Sequence, residues 1–321
     1  MQLQPFKLDP VLVERPWGGR RLASYGRALA EGVWIGESWE VADLPDEVAP
    51  TVDDPRSRVA TGPHAGAALS DLIAKGDDLL GPVPPTTDGR FPLLVKLLDA
   101  REDLSVQVHP HAEYVKAHPE ARLKTESWYV MDAEPGAKLY LDVIDGVDAA
   151  AVADSLGSQA VVPLLEGRPA VPGSFHHVPA GLIHALGAGV MVAEVQTPSD
   201  TTFRIYDWAV EYGRSPRQLH PVESIESIRL HPSSAFDVAP ATSRGVRLLC
   251  ANDHYWIREH RTEGRIHMGG APGPRVLLVM TGSLGLGDLA LEAGGTAIVP
   301  ACALPAEASA TGVVLEVGLP V

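Results

Sequence analysis

The chain is interrupted at close intervals by 28 prolines and 31 glycines, and what lies between them is short and β-branched. Runs such as "LLVKLLDA", "LSVQVH", "SWYVM", "KLYLDV", "FHHVPA", "VMVAEVQ", "TTFRIYDW", "RVLLVM" and "TAIVPA" leave little room for long helices. Val, Ile, Thr, Tyr and Phe suit a pleated, half-buried surface, while Pro and Gly supply its turns. A mainly β chain is expected, a sandwich or barrel of many short strands. Helical signals are few. "SDLIAKGDDLLG" starts at a candidate cap, Ser70, and stops at Gly81, and "HAEYVKAH" suits a short helix. "GVDAAAVADSLG" with "SQAVVPLLEG" predicts a helical insertion over about residues 143–170.

Two stretches repeat one pattern. "SWYVMDAEPGAKLYL" (127–141) and "GSFHHVPAGLIHAL" (173–186) parallel "RVLLVMTGSLGLGDL" (275–289) and "GGTAIVPACALPAEA" (294–308). Each has an apolar strand, a Gly turn, a second strand, then a Gly-led strand ending in Pro-Ala. Two related β-barrels are expected, one in residues 1–230 and one in residues 231–321, with a connection from about Ser215 to Asp253.

Polar residues break the apolar pattern only in the first copy. In an extended "LSVQVHPH", Ser105, Gln107 and His109 share one face while Leu104, Val106 and Val108 share the other. Lys124 and Glu126 share a face of "LKTESWYV", and His184 follows a bend forced by Pro179 and Gly181. Singly, each has a plain reading: a wet sheet face for Gln107 and His109, solvent for Glu126, a turn cap for His184. Jointly, Gln107, His109, Glu126 and His184 form an N/O set suited to one divalent ion. Further along, "AEVQTPSDTTFRIYDW" places Glu194, Asp200 and Arg204 among Val and Ile. Buried charge of that kind is costly unless paired or used, so this segment points to a polar cavity, with an Asp200–Arg204 structural ion pair as the rival reading.

Composition narrows the partners. Lys+Arg number 26 against 41 Asp+Glu, a formal charge of −15, which opposes binding to nucleic acid or an anionic membrane. An anionic ligand must therefore meet locally placed cations. Cys250 and Cys302 are too few for a disulfide framework and are expected to be buried thiols. "MQLQPFKLDPVLVERPWGG" has no basic segment leading into an apolar core, and no apolar run reaches membrane-spanning length, so a cytoplasmic location is expected. His176 and His177 are expected as hydrogen-bonded surface groups, His111 and His118 as neighbours of the metal ligands, and Trp17 and Trp39 as core anchors; Glu37 and Glu40 have an approach to the pocket as one reading and a solvated β-face as the simpler one.

The ordered segments "GESWEVAD", "FPLLVKLLDAREDLSVQVHPHAEY", "LKTESWYV", "VPAGLIHALGAGVMVAEVQTPSDTTFRIYDW" and "RQLHPVESI" closely resemble the type I mannose-6-phosphate isomerases, in particular the short bacterial form. The resemblance runs from about Pro10 to Ile228 and is weaker over the tail. It implies a fold of two cupin-type jelly-roll barrels with a helical insertion and a metal site in the first barrel only. It implies one zinc per chain on Gln107, His109, Glu126 and His184, and Arg204 as the catalytic arginine. Ser105, Lys124, Glu194 and Asp200 would line the pocket. Glu194 and Asp200 are then the candidate proton carriers, with metal-bound water or a pocket histidine as rivals, and Lys124, Ser105 and Lys96 candidates for the phosphate end.

The implied reaction interconverts mannose 6-phosphate and fructose 6-phosphate through an enediol, with a small-molecule sugar phosphate as the partner and monomer and weak dimer both open. Rival readings are a cupin isomerase for a related or unphosphorylated sugar, a non-catalytic metal-containing sugar-binding cupin, and an iron-dependent oxygenase, which also uses His, His and Glu. The sequence departs from the family pattern at Leu141 and Ser174, where Gly and Asp are usual.

Overall fold

The computed structural model describes residues 3–76, 78–269 and 272–321. Among these residues the strands form sheets of eight, seven and five members. The seven-stranded sheet runs Phe236–Val238, Phe175–Val178, Glu126–Ala133, Val190–Gln196, Leu94–Ala100, Val11–Gly19, Ile35–Val41. The five-stranded sheet runs Phe203–Tyr206, Val106–Val108, His184–Leu186, Lys138–Val143, Leu165–Pro169. The eight-stranded sheet runs Gly245–Ala251, Trp256–Met268, Ala306–Gly318, Arg275–Leu286, Thr296–Val299, Phe6–Asp9, Arg58–Val59, with Leu289–Glu292 beside Arg275–Leu286.

The seven-stranded sheet is the middle layer. On one face Leu98, Trp128, Val130 and Val192 pack against Leu139, Leu141 and Leu186 of the five-stranded sheet. On the other, Val95, Leu97, Tyr129 and Val195 meet Ile257, Val276, Leu278 and Val317 of the eight-stranded sheet. A strand covered on both faces reads as a continuous apolar run, which is why "LVKLLDA" is buried at every position. Each fully buried Val or Leu there contributes about 1.5–3 kcal/mol. The eight-stranded sheet also carries a core of its own, Leu277, Val279, Leu284, Ala297, Ala308 and Val314, so it curls around its own apolar face.

The mainly β expectation is met, and the details differ from it in several ways. Among the described residues none of the sheets closes on itself, so backbone pairing does not form the closed barrels expected from the repeat. Chain crosses the 230/231 boundary in both directions. Phe6–Asp9 pairs with Thr296–Val299 of the eight-stranded sheet, and Phe236–Val238 pairs with Phe175–Val178 of the seven-stranded one.

Helix α1, Leu69–Ala74, covers only part of the expected 70–81, within which residue 77 lies outside the described residues. Its N-cap is Ala68, and the Ser70 hydroxyl donates instead to Asp43 Oδ1 at 2.8 Å. Helix α2, Ala112–Ala117, is capped by the His111 imidazole, which accepts from the Tyr114 N–H. The expected insertion forms α3, Ala149–Ser155, capped by Asp148, then a 3₁₀ turn over Gln159–Leu164; its remainder is strand, because Leu165–Pro169 finds an edge to pair with. Helix α4, Pro221–Ser227, lies inside the expected connection, with Pro at its first position. Cys250 is buried but Cys302 only partly so.

Candidate active site and metal centre

Strand register assembles the site from both inner faces. Residues directly opposite in antiparallel strands project to the same side. In the five-stranded sheet Gln107 faces Arg204 on one neighbour and His184 on the other, a row of three polar side chains. In the seven-stranded sheet Glu194 faces Lys96 and Trp128, and Lys96 faces Trp39. Glu126 is two residues from Trp128 and shares its face.

His184 owes its place to the turn before it. Gly181 has φ +93°, and its N–H donates to the His109 carbonyl at 3.0 Å. A Cβ there would lie 2.9 Å from Arg229 Cγ, so both the left-handed backbone and the close approach require glycine.

His109, Glu126 and His184 converge with their ligand atoms within 4.8 Å of one another. His109 Nε2 lies 3.3 Å from Glu126 Oε2, and His184 Nε2 lies 3.4 Å from Glu126 Oε1. All three residues are buried. The Nδ1 of His109 faces the Thr201 carbonyl at 3.1 Å, and that of His184 faces the Leu182 carbonyl at 2.8 Å. Donation to those carbonyls puts the proton on Nδ1 and leaves each Nε2 lone pair aimed inward. His109 Nε2 and both Glu126 oxygens are buried without a hydrogen-bond partner. Orphaned acceptors around one point are costly unless a cation takes them, and two imidazoles with a carboxylate are the donors a divalent ion prefers.

Electrostatics agree. Burial, reinforced by Lys124, pushes His109 down to about 3, and burial also lowers His184, so both imidazoles are neutral and able to ligate. Burial alone would raise Glu126, but Lys124, at 3.1 Å from Oε2, holds it well below the usual carboxylate range. Gln107 is oriented with its NH₂ toward His184 Nε2 at 3.2 Å while its Oε1 accepts from Ser105 Oγ at 3.3 Å. Its oxygen reaches the centre only after an amide flip.

Beside the centre lies a cavity of about 380 Å³, lined by Lys96, Ser105, Gln107, Lys124, Glu194, Asp200 and Arg204 among others. Lys96 Nζ is 3.4 Å from Glu37, 3.6 Å from Glu194 and 3.8 Å from Asp200, and these carboxylates outweigh its burial and hold it above its ordinary value. Burial, then the nearby Glu126, pushes Glu194 up to about 7 despite Lys96. Trp128 Nε1 donates to Glu194 Oε2 at 3.0 Å, while Oε1 has no hydrogen-bond partner. Arg204 Nε donates to Ser105 Oγ at 3.1 Å, and Arg204 forms no ion pair with Asp200 within 4.0 Å among the described residues. Asp200 is instead near Lys96 and Arg15.

Glu37 lines the cavity and Glu40 does not. Glu37 and Glu40 are buried, not solvated, because the strand Ile35–Val41 is covered on both faces. Glu37 accepts from Arg15 Nε at 2.6 Å and Trp39 Nε1 at 2.7 Å, and Glu40 pairs with Arg27 at 2.6 Å. Trp17 and Trp39 are buried as expected, and Trp17 also forms part of the cavity wall. Arg15, Arg217 and His220 complete the lining. The alternation of Glu37 with Trp39 was the available signal for Glu37; nothing in the local pattern marked Arg217.

The other histidines serve structure. His176 and His177 are buried, not surface groups. His176 joins Ser174 Oγ at 2.9 Å to Asp237 Oδ1 at 2.7 Å, a Ser–His–Asp chain. The Gly173 and Ser174 N–H groups already donate to Val130 and Val171, so they are not available to an oxyanion and the chain is a structural tie. His111 caps α2 and His118 stacks on Tyr114.

The model of the family described as "Phosphomannose isomerase type I, catalytic domain" matches residues 6–136. A mannose-6-phosphate isomerase of Streptococcus mutans is 30% identical over 308 residues, covering 92% of each chain. The mannose-6-phosphate isomerase ManA of Bacillus subtilis is 36% identical over 235 residues, 72% of this chain and 70% of that one. The crystal structure of the mannose 6-phosphate isomerase from Bacillus subtilis superposes with a TM-score of 0.82 at 27% identity, over 98% of this chain and 99% of that one. Fold, site geometry and these likenesses agree, and the chain belongs to the type I mannose-6-phosphate isomerases.

Proposed function

We propose that this chain interconverts D-mannose 6-phosphate and D-fructose 6-phosphate through an enediol, using one zinc per chain. The observation that carries the reading is the convergence of buried ligand atoms of His109, Glu126 and His184, those of His109 and Glu126 without hydrogen-bond partners, next to a charged cavity. Two imidazoles and a carboxylate suit zinc, and Gln107, its amide flipped, would be the fourth and weakest ligand. A divalent ion held there supplies Lewis-acid polarisation of the sugar oxygens.

The chain's own groups handle the protons. One proton leaves C2 of the open-chain aldose and returns at C1, and a second moves between the two oxygens. Glu194, with a pKa of about 7 and Oε1 without a hydrogen-bond partner, is placed to take and return a proton at pH 7. Asp200, sharing Lys96 with it, is the second carrier. Arg204 holds a fixed positive charge against the developing enediolate. Lys124 keeps Glu126 ionised and lines the cavity, with Ser105 orienting Arg204. Lys96, matched by surrounding carboxylates, contributes by setting the state of Glu194 as well as by lining the pocket.

The remaining parts of the reading follow from the family. Residues 1–230 would supply most of a cupin-type jelly roll carrying the metal and the 143–170 insertion, and residues 231–321 most of a second without ligands, with Phe6–Asp9, Arg58–Val59 and Phe236–Val238 exchanged between them. The location is cytoplasmic and the partner a small sugar phosphate. Among the described residues no helix is long and apolar enough to cross a membrane.

Proton NMR of mannose 6-phosphate in D₂O tests the activity. Fructose 6-phosphate appearing with the zinc-loaded protein and not after chelation supports it. No conversion at full metal occupancy refutes it, and conversion of free mannose alone would move the substrate to an unphosphorylated sugar.

A further inference from the structure

We propose that Arg217 is the cation that receives the phosphate end of the substrate, on the same wall as Arg204 but beyond it from the reacting carbons, and that Asp207 holds it ready to do so. This rests on the sugar-phosphate reading above.

Charge is distributed unevenly around the cavity. On one side Lys96, Lys124 and Arg15 are interleaved with Glu37, Glu126, Glu194 and Asp200, each cation within 4.0 Å of a carboxylate. The wall built from residues 202–220 is different. Its cavity-lining residues are Thr202, Arg204, Arg217 and His220, two guanidiniums and no carboxylate, with Asp207 buried behind Arg217. Asp207 is fully engaged by Arg217: Nε donates to Oδ2 at 2.8 Å, Nη2 to Oδ1 at 2.9 Å, and the Arg217 backbone N–H to Oδ2 at 3.0 Å. Arg204 has no carboxylate within 4.0 Å among the described residues; its Nε and Nη1 donate to the neutral oxygens of Ser105 and Gln218.

That wall is therefore a cation in excess, in a chain whose formal charge is −15. An oxyanion with several acceptor atoms satisfies such a wall, and guanidinium forks match phosphate geometry better than a lone ammonium.

The wall is also pre-positioned. The Arg204 N–H donates to His220 Nδ1 at 3.1 Å, the His220 N–H to the Arg204 carbonyl at 2.9 Å, and Arg204 Nη1 to the Gln218 carbonyl at 2.9 Å. Residues 217–220 are thus clamped onto the strand Phe203–Tyr206. The Asp207 side chain is 1% exposed and that of Arg217 26%, so the carboxylate is sealed in while the guanidinium reaches the cavity. The bidentate pair uses Nε and Nη2, and Nη1 takes no part in it. A fixed guanidinium loses little freedom when an anion arrives.

The test compares the zinc-loaded full chain with two variants. Arg217→Ala combined with Asp207→Asn removes both charges and leaves no buried carboxylate unpaired; Arg217→Lys keeps one charge without the fork. For the double variant we expect KM for mannose 6-phosphate to rise roughly tenfold or more, kcat to stay within a few-fold, and inhibition by inorganic phosphate to weaken in parallel. Arg217→Lys should lie between. A folded, metal-loaded double variant with unchanged KM and unchanged phosphate inhibition would overturn the proposal, as would a fall in kcat at unchanged KM, which marks a structural role. Should the wild type not turn over mannose 6-phosphate, the functional reading fails; calorimetric binding of inorganic phosphate then decides on Arg217, supporting it if the double variant loses that binding and overturning it if both bind alike or neither binds.

Discussion

Glu126 and Arg275 occupy the same position in two copies of one strand pair. Glu126 faces Val178 where Glu126–Ala133 pairs with Phe175–Val178, and Arg275 faces Val299 where Arg275–Leu286 pairs with Thr296–Val299. Each second strand runs directly into Pro-Ala, residues 179–180 and 300–301. The first copy aims a carboxylate at two imidazoles. The second buries a guanidinium, whose Nε donates to Glu316 at 3.1 Å while Glu316 also meets His260 at 2.8 Å. The first copy gathers ligand atoms that could hold a cation, while the second fills the same place with a guanidinium of its own.

Metal retention should therefore depend on the first copy alone. Glu126→Ala and His184→Ala are each expected to abolish near-stoichiometric zinc binding, measured by metal analysis after gel filtration. Chelation of the native chain should give the same loss of activity. Full metal content in either variant would remove that residue from the ligand set.

Arg204→Ala and Glu194→Gln should keep the metal and lose turnover, by about 10²–10⁴-fold for Glu194 acting as proton carrier. Isomerase rates at saturating substrate, with metal content measured alongside, separate chemistry from metal loss. Turnover within a few-fold of native would take the residue out of the mechanism.

Lys96 is the hub of three carboxylates, Glu37, Glu194 and Asp200, two of them deeply buried. Lys96→Met leaves that charge uncompensated and should cost about 3–5 kcal/mol in urea unfolding. Adding Glu37→Gln should recover part of the loss. A Lys96→Met chain as stable as the native one would show that Arg15 alone balances the cluster.

His177 supplies a pH dependence. It is buried against Ser127 Oγ at 2.9 Å and the Phe236 ring, and burial pushes its imidazole down to about 4. Its folded value lies below the unfolded one, near 6.5. Its contribution is therefore complete above about pH 6.5 and is lost as pH falls toward 4, about 3 kcal/mol in all. Urea midpoints from pH 7.5 to 4.5 should drop more steeply for the native chain than for His177→Phe; parallel profiles would acquit His177.

Much of this was legible in the sequence, and for identifiable reasons. Gln107 and His109, like Lys124 and Glu126, are two apart in extended chain, so the shared face of each pair followed from spacing, whereas the meeting of His109, Glu126 and His184 depends on packing between elements distant in the chain. Glu37 was misread because alternation with polar residues looks the same whether the second face meets solvent or another sheet. Leu165–Pro169 was read as helix because the edge it pairs with, Lys138–Val143, is distant enough in the chain that no local signal announces it. Arg217 had no signal at all: its meaning lies in Asp207, ten residues away around a loop.

The pairing of Lys7 with Ala297 has a consequence for how the protein is made. The strand Phe6–Asp9 is made well before its partner Thr296–Val299. One of its edges can be covered early, by Arg58–Val59, but the edge that meets Thr296–Val299 stays open until that strand exists. A nascent chain stalled short of residue 299 would display that half-covered strand, with Phe6 and Leu8 that are buried in the finished molecule, to whatever chaperone or neighbouring chain meets it first.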